Sequence, residues 1–444
     1  MKTKLLLLFY VLLSFPAAAQ ELPSTLSLQE AVDWGVQYNR TLKRASLELQ
    51  KAHREKWKTI SIGFPQINAN LQYQNFIEQP VSLIPAQFFG GNEGEFAEVV
   101  FGTSQTAMGT VELNQLLFDG TYIVGVQGIR HYIETAENVL EKTELEIKKA
   151  VIISYVNVLT AKESLAVLEN NARLLSKNIE EAHQLFKNGF AEEETVEQLR
   201  LTLSNLNAQV RYASASVALA ENVLKLLLGQ ETSVEMTLSN SLAELTALAV
   251  FEEDIPQDYS NNIDLRLSEN NVTSERLLYR LERAKNLPSF SAFINGSYMG
   301  NSNEFSFFDP EQKWFGSSAF GLRVRVPIFS SLGRKAGSQK AKLTLEQAEL
   351  QLIETKAELF VAYQKATNDF RLAQENYSTA QENLSLAERI EQKNTTKFFE
   401  GLSSSFELRQ AQVQLYQAQE NFIQSMRQII INKTELDTLI NNAQ

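Results

Sequence analysis

The 444 residues hold 41 lysines and arginines against 53 acidic residues, a formal net charge of −12, with 9 prolines, 19 glycines and no cysteine. That balance argues against a nucleic-acid ligand, and the missing cysteine excludes disulfides, thiolate metal sites and an acylated amino-terminal cysteine. Length alone suggests two to three ordinary domains.

Residues 1–19 read as a secretory signal. Lys2 and Lys4 precede an apolar run from Leu5 to Phe15, and Ala17, Ala18 and Ala19 supply the cleavage site. Losing the signal removes two lysines and makes the charge −14. No later apolar run looks long enough for a membrane helix.

A first repeat is expected over 20–229. Leu28, Ala31, Leu42, Ala45, Leu49 and Ala52 predict a helix from Ser27 to Ile62, with Ser27 and Glu30 at capping-box spacing. Pro65 ends it. A β-hairpin over 66–118 follows: Ile67, Ala69, Leu71 and Tyr73 alternate with Asn68, Asn70, Gln72 and Gln74, and Gly109, Val111 and Leu113 alternate with Thr110, Glu112 and Asn114. Between them lies a glycine- and phenylalanine-rich loop. Asp119 can cap the next helix, 120–188, whose seam steps by three and four through Val126, Ile129, Ile133, Ala136 and Leu140 and on to Phe186. One extra step of four, from Ile147 to Val151, is a stutter. Such a helix is roughly 100 Å long. After the turn at Gly189 a second seam occupies 192–229, beginning with Glu192, Glu193 and Glu194, a run that is either a solvated helix cap or an acidic ring.

Residues 230–261 read as a small, less regular side structure, after which a second repeat fills 262–444. Asn262 matches Asn39, and Pro288 matches Pro65. A hairpin over 289–329 carries Arg323 and Arg325 on its polar side. A long helix over 333–398 returns the first seam at an offset of 212, with the extra step now between Leu359 and Tyr363. A turn at Gly401 leads to a last helix, 406–440. Two copies of one plan are what internal duplication gives, and they favour one elongated body over several domains.

The predicted fold class is therefore mainly α with a transmembrane β-barrel. Strands of about ten residues with one apolar and one polar face suit lipid outside and water inside, so Glu112, Arg323 and Arg325 would face the lumen. Four strands per chain leave two open edges, which hydrocarbon does not tolerate. Two copies would give eight strands with a filled interior, three would give twelve and a lumen. The helices would continue as a coiled-coil barrel.

The duplicated plan, Leu-Ser-Leu-x-Glu-Ala at Leu26 to Ala31, Phe64-Pro65 and Leu287-Pro288 before the hairpins, Leu117 to Gly120, and the tips Gly189-Phe190 and Gly401-Leu402 resemble the TolC-type outer-membrane efflux family. The resemblance covers nearly all of the chain beyond the signal. It implies a homotrimer with a 12-stranded barrel in outer-membrane lipid of a Gram-negative bacterium. It also implies a helical tunnel in the periplasm, meeting a periplasmic adaptor protein and an inner-membrane pump of RND, ABC or MFS type, as in tripartite efflux and type I secretion. Gly189, Phe190, Gly401 and Leu402 would be the adaptor-docking tips. Family members close the tunnel with two acidic residues after the second tip; here those positions are Glu407 and Gln410, so one carboxylate is an amide. With Glu192 to Glu194 they form the expected gate. A periplasmic coiled-coil adaptor or structural envelope protein without a channel is the alternative, though it would lack the alternating strands. His53, His131 and His183 stand alone, and no H-x-x-x-H, G-x-S-x-G or P-loop occurs, so neither catalysis nor a metal or other cofactor is expected.

Overall fold

The computed structural model describes residues 25–250 and 260–440; the expected signal over 1–19 lies outside them. In chain order the elements are β1 (Thr25–Leu26), α1 (Leu28–Tyr38), α2 (Arg40–Ser61), β2 (Gln66–Asn75), β3 (Val81–Pro85), β4 (Phe96–Val100), β5 (Gln105–Phe118), α3 (Gly120–Lys187), α4 (Glu193–Leu227), β6 (Thr237–Leu238), α5 (Leu242–Val250), α6 (Ile263–Ala284), β7 (Ser289–Ser302), β8 (Trp314–Arg325), α7 (Gly333–Phe399) and α8 (Ser405–Leu439). They fall into two compact units, one of residues 47–138 and 266–355, the other of residues up to 46, 139–265 and from 356 on.

The first of these units holds an antiparallel sheet in the order β2-β5-β7-β8. Directly paired residues share a face, so the register sorts the side chains into two sets. Leu71, Gly109, Tyr298 and Gly316 form one row of the apolar face, with large side chains over small partners. The adjacent row, Asn70, Thr110, Ser297 and Ser317, belongs to the polar face, and the hydroxyls of Ser297 and Ser317 are 2.7 Å apart. Leu71 is 86% and Phe320 87% exposed, an apolar face open over most of its length, with Phe305 and Phe307 packed against Tyr73 at its loop end. Among the described residues the outer edges of β2 and β8 have no strand partner.

Two expectations need correction here. The fourth strand stops at Arg325 and excludes Val326 and Ile328, because Pro327 has no N–H for a ladder and restricts the residue before it. The glycine- and phenylalanine-rich loop between β2 and β5 contains strands of its own: β3 and β4 pair as a small hairpin around a 3-10 turn at Ala86–Phe89, with Gly90 (φ +83) and Gly94 (φ +88) making the bends.

The other unit is helical. Seam positions Leu359, Ala366, Phe370, Ala373, Ala387 and Phe398 of α7 are buried as the periodicity requires, as are Ile147, Val151, Val158, Leu175 and Ala182 of α3. Around Val151 to Leu159, α3 is buried on more than its seam: Ile152, Tyr155, Val156 and Leu159 join a core with Leu26, Val32, Leu224, Leu245, Ile429 and Leu436. A helix apolar on all sides is a buried one. This also explains why α3 contains an 18-residue window of mean hydropathy 1.5, long and apolar enough by composition to cross a membrane, against the expectation that no such run follows the signal.

Within the expected side structure over 230–261, the described residues 230–250 are more regular than expected. β6 pairs in parallel with β1, Thr25 opposite Thr237 and Leu26 opposite Leu238, and Ser241 and Glu244 cap α5 reciprocally. The Tyr155 hydroxyl donates to the Leu26 carbonyl at 2.9 Å and so anchors this pair to α3. The predicted helix from Ser27 to Ile62 is two helices, because Asn39 leaves helical geometry (ψ 129°) and caps α2 by accepting from the N–H groups of Thr41 and Leu42. Its amide donates to the Leu227 carbonyl at 2.7 Å. Asn262 repeats the arrangement at the start of α6, accepting from Asp264 and Leu265 and donating to Leu439 at 2.9 Å.

Candidate functional site

The two helix-to-helix turns are built alike. After α3, Gly189 takes φ +76, its N–H bonds Phe186 O at 2.9 Å, and the N–H of Phe190 bonds Leu185 O at 2.9 Å. After α7, Gly401 takes φ +75, its N–H bonds Phe398 O at 3.0 Å, and the N–H of Leu402 bonds Lys397 O at 2.8 Å. This double bonding pattern closes a helix on a left-handed residue. No atom lies within 4 Å of where a Cβ would stand on either glycine, so the demand for glycine is one of backbone conformation and not of space.

Because each turn closes tightly, its next side chain projects outward: Phe190 is 81% and Leu402 73% exposed. The turns lie side by side. Val196 and Leu199 of α4 share an apolar cluster with Phe398 and Leu408, and the Ser405 hydroxyl meets Gln198 Oε1 at 3.4 Å.

The acidic residues beyond the turns divide into two kinds. Glu192 is the N-cap of α4 without a side-chain cap bond, and Glu193 and Glu194 occupy the first turn, Glu194 accepting from Gln198 at 2.8 Å. All three are exposed. Glu407 is committed to its own helix start: one carboxylate oxygen accepts from the Ser403 hydroxyl at 2.7 Å and the Ser404 N–H at 2.9 Å, while Ser404 Oγ accepts from the Glu407 N–H at 3.3 Å. These bonds, first the Ser404 N–H and then the serine hydroxyls, hold its carboxyl below the usual glutamate range. Gln410, the other expected gate residue, makes no hydrogen bond to Glu407 among the described residues. Sequence reasoning overlooked Ser403 and Ser404, although Ser-x-x-Glu at 404–407 spells a capping box. It also overlooked Arg409, whose guanidinium lies over the exposed Phe406 ring, 5.5 Å from its centre.

Above the turns α3, α4 and α8 enclose a groove of about 930 Å³, lined among others by Asn157, Asn171, Tyr212, Tyr416 and Arg427. Its α3–α8 side is joined by polar pairs, Asn171 to Gln419 and Arg427 to Asn157, each at 2.7 Å, and by the ion pair of Lys149 with Glu435. Burial pushes the Tyr416 phenol up to about 12.

On the sheet, Glu112, Arg323 and Arg325 share the polar face, as expected. Arg323 extends over the Phe293 ring, 5.2 Å from its centre, to reach Glu112 at 3.7 Å. Gly321 makes room for that ring, since a Cβ there would stand 2.9 Å from Phe293 Cζ. Arg325 is exposed, with no ion pair or hydrogen bond among the described residues.

A sheet with a largely open apolar face, followed twice by a long helix closing on a left-handed glycine, is matched by known proteins. The family model of the outer membrane efflux proteins matches residues 255–442. Solved structures extend the likeness to nearly the whole chain. CusC, described in connection with transmembrane channel formation, aligns with a TM-score of 0.75 at 17% identity, over 96% of this chain and 95% of that one. The outer membrane protein VceC of Vibrio cholerae gives 0.72 at 14% identity over 93% and 95%. The CmeC outer membrane channel of Campylobacter jejuni gives 0.75 at 17% identity over 94% and 86%. No curated protein sequence matches the chain. The fold is the one these outer-membrane structures share, mostly helical with a strand region, and the family match over 255–442 agrees with the resemblance read from the sequence. The matched family is described as one of efflux proteins.

Proposed function

We propose that this chain is the protomer of a trimeric outer-membrane channel that passively conducts substrates delivered by a periplasmic adaptor and an inner-membrane pump. One observation carries the reading: a sheet with an apolar face open over most of its length, a polar face and two open edges. Such a sheet is stable in hydrocarbon only when its edges are paired. Joining β8 of one copy to β2 of the next closes twelve strands in three copies, with Leu71 and Phe320 towards lipid and Asn70, Glu112, Arg323 and Arg325 towards water. Internal duplication accounts for the matching caps at Asn39 and Asn262 and the matching turns at Gly189 and Gly401.

The outer membrane is the location that family and fold support, with the helices in the periplasm. Phe190 and Leu402 supply exposed apolar contacts for an adaptor, and Glu407, Gln410 and Glu192 to Glu194 surround the entrance. The test is assembly and conductance. Outer-membrane extracts should yield a heat-resistant trimer on cross-linking, and the purified trimer should form water-filled channels in planar bilayers. Recovery as a soluble periplasmic monomer would support an adaptor or tether and refute the channel.

A further inference from the structure

The polar face of the sheet is unevenly charged along its length. Over β2, β5, β7 and the first part of β8 it carries amides, hydroxyls and a few apolar side chains, with Glu112 its sole acid. Its two cations, Arg323 and Arg325, stand where β8 ends and the chain turns towards α7. Register places them opposite Ser291 and Ser289, at the end of the strands nearest the helices. Glu112 neutralises Arg323. Nothing neutralises Arg325 on this face, and β2, which closes the barrel in the proposed assembly, offers no charged side chain to it.

We propose that Arg325 makes the helix-side end of the barrel lumen a filter that favours small anions and anionic cargo over cations. The proposal rests on the trimeric channel reading. Three copies place three guanidinium groups around one axis. Twelve strands about 4.8 Å apart, tilted by about 40°, make a cylinder of radius about 12 Å, which leaves the guanidinium groups roughly 7 Å from the axis. Three unit charges at that distance in water enrich monovalent anions on the axis about fourfold at about 0.1 M salt, and more strongly at lower salt as screening recedes. Rings of Arg or Lys serve anion pores in this way. Glu407 and the glutamates after Gly189 belong to other elements and are identical in every variant below, so changes in selectivity isolate the strand charges.

The experiment is reversal-potential measurement on purified trimers in planar bilayers, with potassium chloride at about 0.1 M on one side and about 0.01 M on the other. Replacing Arg325→Gln should lower the chloride-to-potassium permeability ratio by about twofold or more, and Arg325→Glu should lower it further. Arg325→Lys should restore it. Glu112→Gln, which frees Arg323, should move the ratio the opposite way. Conducting channels with the same reversal potential in wild type, Arg325→Gln and Glu112→Gln would overturn the filter while leaving the channel reading intact. Wild-type trimers that insert and conduct nothing would overturn the channel reading, and the filter with it.

Discussion

Replacing Gly401 with valine tests the turn that presents Leu402. At φ +75 an L-residue incurs about 1–2 kcal/mol of backbone strain. Nothing else lies within 4 Å of the Cβ position, so the strain is that of valine's own backbone and branched side chain. The strain is relieved by releasing the two bonds that close the turn, Gly401 N–H to Phe398 O and Leu402 N–H to Lys397 O. An energy of this size corresponds to about a 5- to 30-fold larger open population, and hydrogen exchange at the Leu402 amide of the purified trimer should accelerate by that factor. Gly401→Asn should show a smaller effect, since asparagine tolerates the left-handed region. Gly229→Ala is the contrasting case. Gly229 has a similar φ of +72, but a Cβ there would stand 2.5 Å from Tyr38 O, so even alanine should destabilise more than strain alone accounts for. In cells, Gly401→Val should reduce export while trimer yield holds. Unchanged Leu402 exchange in Gly401→Val would refute the argument that the left-handed glycine holds this turn.

Leu71→Arg should reduce folded trimer in the outer membrane, since a cation on a lipid face costs about 2–4 kcal/mol near the midplane. Asn70→Arg, one residue away on the opposite face, should assemble normally, and equal yields would contradict the assignment of faces. Replacing both Ser403 and Ser404 by alanine removes the two hydroxyls and leaves the Ser404 N–H, so the Glu407 titration should move part of the way up towards the usual glutamate value of about 4.3. The folded carboxyl is depressed, so its contribution to α8 is complete above the unfolded value and is lost as pH falls through the lowered folded one. The pH dependence of channel conductance in acid reads the shift, and its absence would show that the serines do not hold the carboxylate. Asn39→Ala and Asn262→Ala each remove a cap and a bond to a helix-end carbonyl, so each should cost about 1–2 kcal/mol. Thermal unfolding in detergent should show losses of similar size; a strongly unequal pair would deny the two residues a common role.

Much of this architecture is legible in the sequence because its signals are long or repeated. The alternation from Ile67 to Gln74 assigns the two faces of β2 without ambiguity, and the seams of α3 and α7 persist over many turns. Short devices escaped. β1 and β6 are two residues each, too brief for any periodicity, and only their pairing makes them strands. Asn39 is visible as a match to Asn262, but apolar spacing runs across it and hides the break between α1 and α2. At the second turn, Glu407 invites reading as a free acid beside the entrance, whereas Ser-x-x-Glu spacing already commits it to a helix start. In β3 and β4 the exposed phenylalanines and left-handed glycines imitate an irregular loop. Off-seam burial of Tyr155 and Val156 depends on α1, α5 and β1 converging there, which no local pattern records.

The order of the sheet also governs how the protein can be made. Within its two hairpins, paired residues are 30 to 48 apart along the chain for β2 and β5 and 14 to 36 apart for β7 and β8. The central ladder is different: Phe118 pairs with Phe290 and Gln105 with Ser302, separations of 172 and 197 residues. Ladders between distant segments form slowly because loop closure precedes any reward from contact. During synthesis the segments of β2 and β5 emerge before β7 has been translated, so a hairpin formed at that stage would leave its β5 edge open to strands of any other chain. Delivering the unfolded chain to the membrane with that edge masked is thus a requirement of the topology itself, independent of what the finished channel carries.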